Sequence, residues 1–195
     1  NESMKTGTEV KDQDLLRVDS SFFDVFSFPL VSGNRHTCLK DPSSVVLSEE
    51  TAKRQFGTTD VIGKIVMLKD DSVFIPHKVT AVAKKCLQNS SIKFDMLLPI
   101  KESKVDAANS ENWFNFFLNT FVVLDDKANV QTVEKQMQSF YVSDAKQAAE
   151  AILKKNGGHD NGKMSTYFLQ PFLDMHLSTE LPLNNNFMHV SKAPV

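Results

Sequence analysis

Five histidines (His36, His77, His159, His176 and His189), two cysteines (Cys38 and Cys86) and three adjacent acidic pairs (Glu49-Glu50, Asp70-Asp71 and Asp125-Asp126) are the side chains here best suited to chemistry. Histidines three to five residues apart on one element would suit a zinc site, with cysteines completing the set. No two histidines have that spacing, and no cysteine pair stands near them, so no metal ligand is assigned. His36 and Cys38 are two residues apart, as a thiol and its base could be. They lie on a loop-like stretch with no carboxylate pattern to orient the histidine. Paired carboxylates can serve as general acid and base. Glu49-Glu50 reads more simply as helix-start charge, and the two Asp pairs as turns. His159-Asp160 beside Gly157-Gly158 reads as a solvated turn. No catalytic residue follows from these patterns.

The stretch from Gly57 to Ile65 has the outward look of a phosphate loop. Such a loop needs four residues between its glycines, then Lys and a hydroxyl for magnesium. Here five residues separate Gly57 from Gly63, and Ile65 follows Lys64. The register is wrong and the hydroxyl is missing, so no cofactor-binding residue is assigned and no cofactor is expected. A G-x-S-x-G elbow is absent as well. Asn89-Ser90-Ser91 matches the glycosylation sequon, which matters only in a eukaryotic secretory setting.

Composition narrows the classes further. The 195-residue chain can bury a sizeable core, and 41% hydrophobic with 24% charged residues is ordinary for a globular protein. A net charge of −2 provides no pull towards nucleic acid or an anionic membrane surface. Fifteen Phe against one Trp and two Tyr predict a Phe-packed core, since Lys and Arg do not interleave with them as on a base-stacking platform. Two cysteines are too few for a disulfide scaffold. They could pair if the fold brought them together, or remain two free, half-buried thiols. No apolar run is long enough to span a bilayer, and residues 1–14 are too polar for a signal peptide. The chain therefore reads as a soluble segment, cytosolic or excised from something larger.

The elements that would position these residues are legible from period and punctuation. Residues 1–14 read as a polar lead-in with a flexible tip, and Leu15–Val18 as a strand. Asp19, Ser20 and Ser21 precede a short helix that puts Phe22 and Phe26 on one face. Gly33-Asn34 reads as a turn and 34–44 as a loop. Residues 43–68 form a strand–helix–strand unit. In it Val45–Leu47 end a strand, Ser48 caps a helix, Glu49 and Glu50 complement its dipole, and Gly57 ends it. Strands 64–69 and 73–83 should form a hairpin across Asp70-Asp71, with Pro76 marking an edge or bulge and one face mostly wet. A strand is expected at 94–100, a polar boundary at 101–110, a helical turn at 111–114, and strands at 120–124 and 165–170. Between those last two, helical periodicity begins after Asn129 and runs towards Asn156-Gly157-Gly158, as one helix or as two with a break near 142–144.

The order of segments VDSSFFDVFSFPLVSG (18–33), DPSSVVLSEETAKRQFG (41–57), VIGKIVML (61–68), KVTAVAKK, NSSIKFDMLLPI and LQPFLDMHLS (169–178) resembles the extracytoplasmic core domain of MacB-like and FtsX-like ABC transporter permeases, in the form common in Bacteroidetes. The resemblance spans about 15–180. Cys86-Leu87 depart from it where the family usually has a small residue or proline. The segment linking a first membrane helix to the opening strand is mostly missing, and the chain stops before a second, as expected of an excised domain.

That resemblance implies an α+β fold in which a β-rich sabre-like subdomain, 38–110, is inserted into a porter-like α/β subdomain built from 1–37 and 111–195. It implies a non-catalytic part of a permease at the periplasmic face of the bacterial inner membrane, which transmits conformational change. The implied partners are a cytoplasmic ABC ATPase subunit, a second permease protomer, and a periplasmic adaptor or substrate. Nucleic acid is not among them, and contact with the membrane would come only through flanking helices. The other reading is a stand-alone periplasmic or surface module binding a peptide, lipid or glycan.

Overall fold

The computed structural model describes residues 2–6, 9–70, 72–88, 90–100, 118–155 and 166–176. These fall into two compact units, 2–100 and 118–176. The first contains strands β1 (Glu2–Thr6), β2 (Glu9–Gln13), β3 (Leu15–Val18), β4 (Leu30–Gly33), β5 (Ser44–Ser48), β6 (Ile65–Asp70), β7 (Val73–Ala83) and β8 (Met96–Pro99). Two helices accompany them, α1 (Phe22–Val25) and α2 (Glu49–Phe56). The second unit has α3 (Val130–Lys155) and a 3-10 turn at Phe172–His176. The fold is α+β.

All eight strands join one mixed sheet in the order β2-β1-β6-β7-β5-β8-β3, with β4 also on β7. Pairings are antiparallel except β3 with β8 and β5 with β7. β3 and β4, before residue 38, are thus hydrogen-bonded to strands after it.

The expected polar lead-in is instead the hairpin β1–β2, with Met4 opposite Lys11 and Lys5 opposite Val10. Met4 is fully buried and Gln13 nearly so, while Glu9, Lys11 and Asp12 face water and Lys5 is half-buried. A single large apolar side chain in such a strand is too little for the sequence pattern to register.

β5 and α2 form as their punctuation predicts. Ser48 sits at φ −69°, ψ 153°, and its hydroxyl accepts the Thr51 N–H at 3.1 Å. Gly57 takes φ 71° and donates to the Lys53 carbonyl at 2.9 Å. β6 and β7 form the expected hairpin, with Ile65 opposite Lys78 and Asp70 opposite Val73. Pro76 pairs with Met67, and β5 joins the other edge of β7 only from Lys78 onwards. The missing proline donor therefore falls where β7 has one neighbour. Of the residues expected on the wet face, Lys78 and Lys84 are exposed and Thr80 is half-buried, while a register shift near Thr80 puts Val79 and Val82 in one core and Ala81 and Ala83 in the other. Both faces of the sheet are covered only at the Ala81–Ala83 end.

One core packs Val45, Leu47, Val66, Leu68, Val79 and Met96 beneath Ala52 of α2. The other packs Phe22, Phe23, Leu39, Val46, Ala81 and Phe94 on the opposite face. Its Phe22 ring lies 5.2 Å from Phe23, 5.0 Å from Phe26 and 5.6 Å from Phe28. Each such pair adds about 0.5–1.5 kcal/mol beyond area burial. Gly33 ends β4 rather than making a turn. It adopts φ 99° opposite Ala81, where an added Cβ would lie 2.5 Å from the Ala81 Cβ.

In the second unit α3 is one unbroken helix, and Asn129 Oδ1 accepts the Thr132 N–H at 3.0 Å. The strands expected at 120–124 and 165–170 are not formed among the described residues, so the β-α-β reading of this part is corrected. The backbone N–H of Tyr167 donates instead to Gln138 Oε1 at 2.9 Å, and that of Leu169 to Glu134 Oε1 at 2.8 Å. Two side chains one turn apart on α3 thus satisfy alternate amides that a neighbouring strand would otherwise have taken. The expected boundary at 101–110, the turn at 111–114 and Ser165 lie outside the described residues.

Candidate functional site

The structure disperses the side chains singled out for chemistry. His36 Nδ1 lies 3.0 Å from Asp24 Oδ1 in an exposed pair. Cys38, two residues on, turns into the second core, is 2% exposed, and has its Sγ 3.8 Å from the Arg35 carbonyl. The histidine and the thiol therefore serve different surroundings, and no thiol–imidazole pair forms between them. Cys86 packs against the same core with Sγ 4.0 Å from the Phe94 carbonyl. Both thiols are free, and burial pushes the pKa of each up. A nucleophile needs the opposite shift. His77 is buried on the other face, its Nδ1 3.1 Å from the Ile75 carbonyl. His159, His189, Asp71 and the sequon residue Asn89 lie outside the described residues.

The acidic pairs are taken up locally. Glu49 binds Lys53 at 2.6 Å and Glu50 binds Lys85 at 2.6 Å. The hydrogen bond and charge of Lys53 hold the Glu49 carboxyl below its usual range. Asp125 accepts the Lys127 N–H at 2.9 Å and closes a turn. Among the described residues, no three His, Cys, Asp or Glu side chains gather as a metal site would require.

The Gly57–Lys64 segment is equally committed. Gly63 takes φ 85° and donates its N–H to the Val79 carbonyl at 2.8 Å, while Lys64 accepts from Val79 at 2.8 Å through its carbonyl. The Lys64 ammonium lies 4.8 Å from the centre of the Phe56 ring. The amide and the cation that a phosphate would want are turned onto the fold itself.

Among the described residues the densest polar cluster surrounds Asp95, which sequence reading did not single out. Asp95 Oδ1 accepts the Thr51 hydroxyl at 3.0 Å and lies 3.3 Å from Arg54 Nη2; Oδ2 accepts the Asp14 N–H at 3.2 Å. Arg54 also donates to Gln13 Oε1, and to Thr51 Oγ1 at 3.0 Å. The backbone joins in: Ser48 N–H donates to the Asp95 carbonyl at 2.8 Å, and Asp95 N–H to the Asp14 carbonyl at 2.8 Å. Thr51, Gln13 and Ser48 are buried. One carboxylate thereby clamps the β2–β3 link, the start of α2 and the entry to β8. Its hydrogen bonds run to protein groups on three sides, which suits a bracket rather than a substrate site. No local motif could have announced it, because Asp14 and Asp95 are 81 residues apart.

Among known families, the model of the MacB-like periplasmic core domain matches residues 2–140. In structure the chain is similar to a domain of a protein assigned as a permease from Porphyromonas gingivalis. The TM-score is 0.53 at 22% identity, over 89% of this chain and 76% of that one. It is also similar to the periplasmic region of MacB from Actinobacillus actinomycetemcomitans, with a TM-score of 0.48 at 18% identity over 73% and 62% of the two chains. For the extracellular domain of the noncanonic ABC-type transporter YknZ from Gram-positive bacteria, the TM-score is 0.39 at 24% identity over 50% and 49%. The chain thus spans about half of the YknZ domain and under two thirds of the MacB region. No curated protein matches it in sequence.

Proposed function

Because the chain belongs to the MacB-like periplasmic core domain family, we propose that it serves as the non-catalytic part of an ABC transporter permease that passes conformational change to partners outside the membrane. It is an extracytoplasmic, periplasmic domain. The observation that carries the reading is the extent of the family match, which takes in the whole eight-stranded sheet and the first turns of α3. The Asp95 bracket is in keeping with it, since its polar groups are spent on holding backbone segments together. ATP hydrolysis would belong to a separate cytoplasmic ATPase subunit, and a second permease protomer and an adaptor or substrate would complete the assembly. Porter-like parts at 1–37 and 111–195 around a sabre-like part at 38–110 belong to the same proposal. Since β3 and β4 are hydrogen-bonded into the sheet beyond residue 38, a displacement of 1–37 would carry that sheet with it.

The test is to purify, from membranes, the whole protein that carries this domain. An ABC ATPase subunit should co-purify, and deleting residues 2–176 should abolish transport while leaving the ATPase bound. The isolated chain should neither bind nor hydrolyse ATP. A protein released by signal cleavage, with no ATPase attached, would overturn the proposal in favour of a free binding module.

A further inference from the structure

β2 is an edge of the eight-stranded sheet, with β1 as its neighbour on one side. Its protections are shortness and the charges of Glu9, Lys11 and Asp12 rather than a block in the backbone. It has no proline, its register with β1 is regular from Glu2–Gln13 to Thr6–Glu9, and Glu9, Val10, Lys11 and Asp12 are all exposed. Thr6 and Glu9 face each other across a two-residue connection, so the hydrogen-bonded pairs with β1 are those of Glu9, Lys11 and Gln13. The N–H and C=O groups of Val10 and Asp12 therefore point away from the sheet.

The side chains of this edge are complementary to themselves. Laid antiparallel on a second β2 with Val10 opposite Val10, the strand places Glu9 against Lys11 and Lys11 against Glu9. The Glu9–Lys11 contact within one chain, 2.8 Å between exposed side chains, would exchange into two such contacts between chains. The alternative register with the same backbone parity places Lys11 against Lys11, and like charges directly opposite destabilise a sheet. Val10, 51% exposed, would be covered at the twofold axis.

We propose that β2 pairs with β2 of a second copy of this chain, antiparallel about Val10, to make one continuous sheet across a twofold axis. So short an edge gives a weak dimer, because association of free chains sacrifices about 4–15 kcal/mol of freedom. Two copies held close in one permease would meet at an effective concentration of about a millimolar, enough to populate a contact that must also open. That last step rests on the permease reading; the pairing itself does not.

The test is sedimentation equilibrium of the 195-residue chain at about 1 mM, the concentration range expected of tethered copies. The unaltered chain should dimerise. Lys11→Glu and Glu9→Lys should each weaken the dimer about tenfold by setting like charges opposite. An equimolar mixture of the two variants should associate as well as the unaltered chain, since each supplies the charges the other lacks. Circular dichroism checks that both variants remain folded. A monomeric unaltered chain, single variants that dimerise unchanged, a mixture that stays monomeric, or growth beyond dimers would each overturn the pairing. None of these would touch the co-purification test of the permease reading.

Discussion

Replacing Asp95 with alanine should be the most damaging single change in the Asp95 cluster, and the geometry says by how much. The substitution removes the acceptor of the fully buried Thr51 hydroxyl, the acceptor of the Asp14 N–H and the partner of Arg54. A hydrogen bond to a charged group contributes about 1.5–3 kcal/mol, and a stranded buried donor costs about 1–3 kcal/mol. The Arg54 contact adds little, about 0–1 kcal/mol, because its side chain is 43% exposed. The contributions share one carboxylate and overlap, so the expected loss is about 3 kcal/mol. For a unit of about a hundred residues that lowers Tm by roughly 12–24 °C. Asp95→Asn keeps an acceptor oxygen for Thr51 and should lose about 1 kcal/mol. Arg54→Ala should lose about 1–2 kcal/mol, since the carboxylate retains Thr51 and Asp14 while the buried Gln13 Oε1 loses its donor. Urea unfolding followed by circular dichroism would show the midpoint falling with an unchanged m value. If Asp95→Ala cost no more than Arg54→Ala, the argument from the buried Thr51 hydroxyl would be wrong.

Gly33→Ala should destabilise far more than Gly57→Ala. Both glycines have positive φ, a strain of about 1–2 kcal/mol for another residue, but only at Gly33 does the new Cβ meet Ala81 and the Thr80 carbonyl within 3 Å. Equal losses in thermal melts would refute the steric reasoning. Acid should weaken the fold through Asp19 and Asp41, whose pKa values are lowered by hydrogen bonds from Ser21 and Ser43. A folded-state pKa below the unfolded one gives stability that is present above the unfolded value, near about 4, and is lost as pH falls below it. The pair Asp19→Asn and Asp41→Asn should flatten that decline; an unchanged acid limb in pH-dependent melts would contradict it. Both thiols should be slow towards a disulfide reagent at neutral pH, Cys86 reacting first and Cys38 only on unfolding, because burial raises both pKa values and Cys38 is 2% exposed. Rapid labelling of Cys38 in the native chain would exclude the buried position.

Signals confined to one helical turn were complete in the sequence. Ser48 and Thr51 are three residues apart, as are Asn129 and Thr132, so each cap is written within the bond it makes. The β6–β7 hairpin closes over a short span in the same way. The ordered motifs also carried the family, which the match over 2–140 bears out. What covers a strand is a different matter. The second face of β7 is wet at Lys78, as its period says, but dry at Ala81 and Ala83, where Phe22, Cys38 and Leu39 lie over it. The 120–124 and 165–170 segments read as strands from composition, yet amides in 166–170 were claimed by Glu134 and Gln138 of α3. The hairpin 2–13 hides behind its charges until β6 offers Met4 a neighbour in Leu68. The Asp95 bracket joins residues 41 to 81 positions apart. Caps and turns are satisfied by neighbours along the chain, so the sequence by itself determines them. Burial and the pairing of distant polar groups depend on which segments arrive together, and only the tertiary structure decides that.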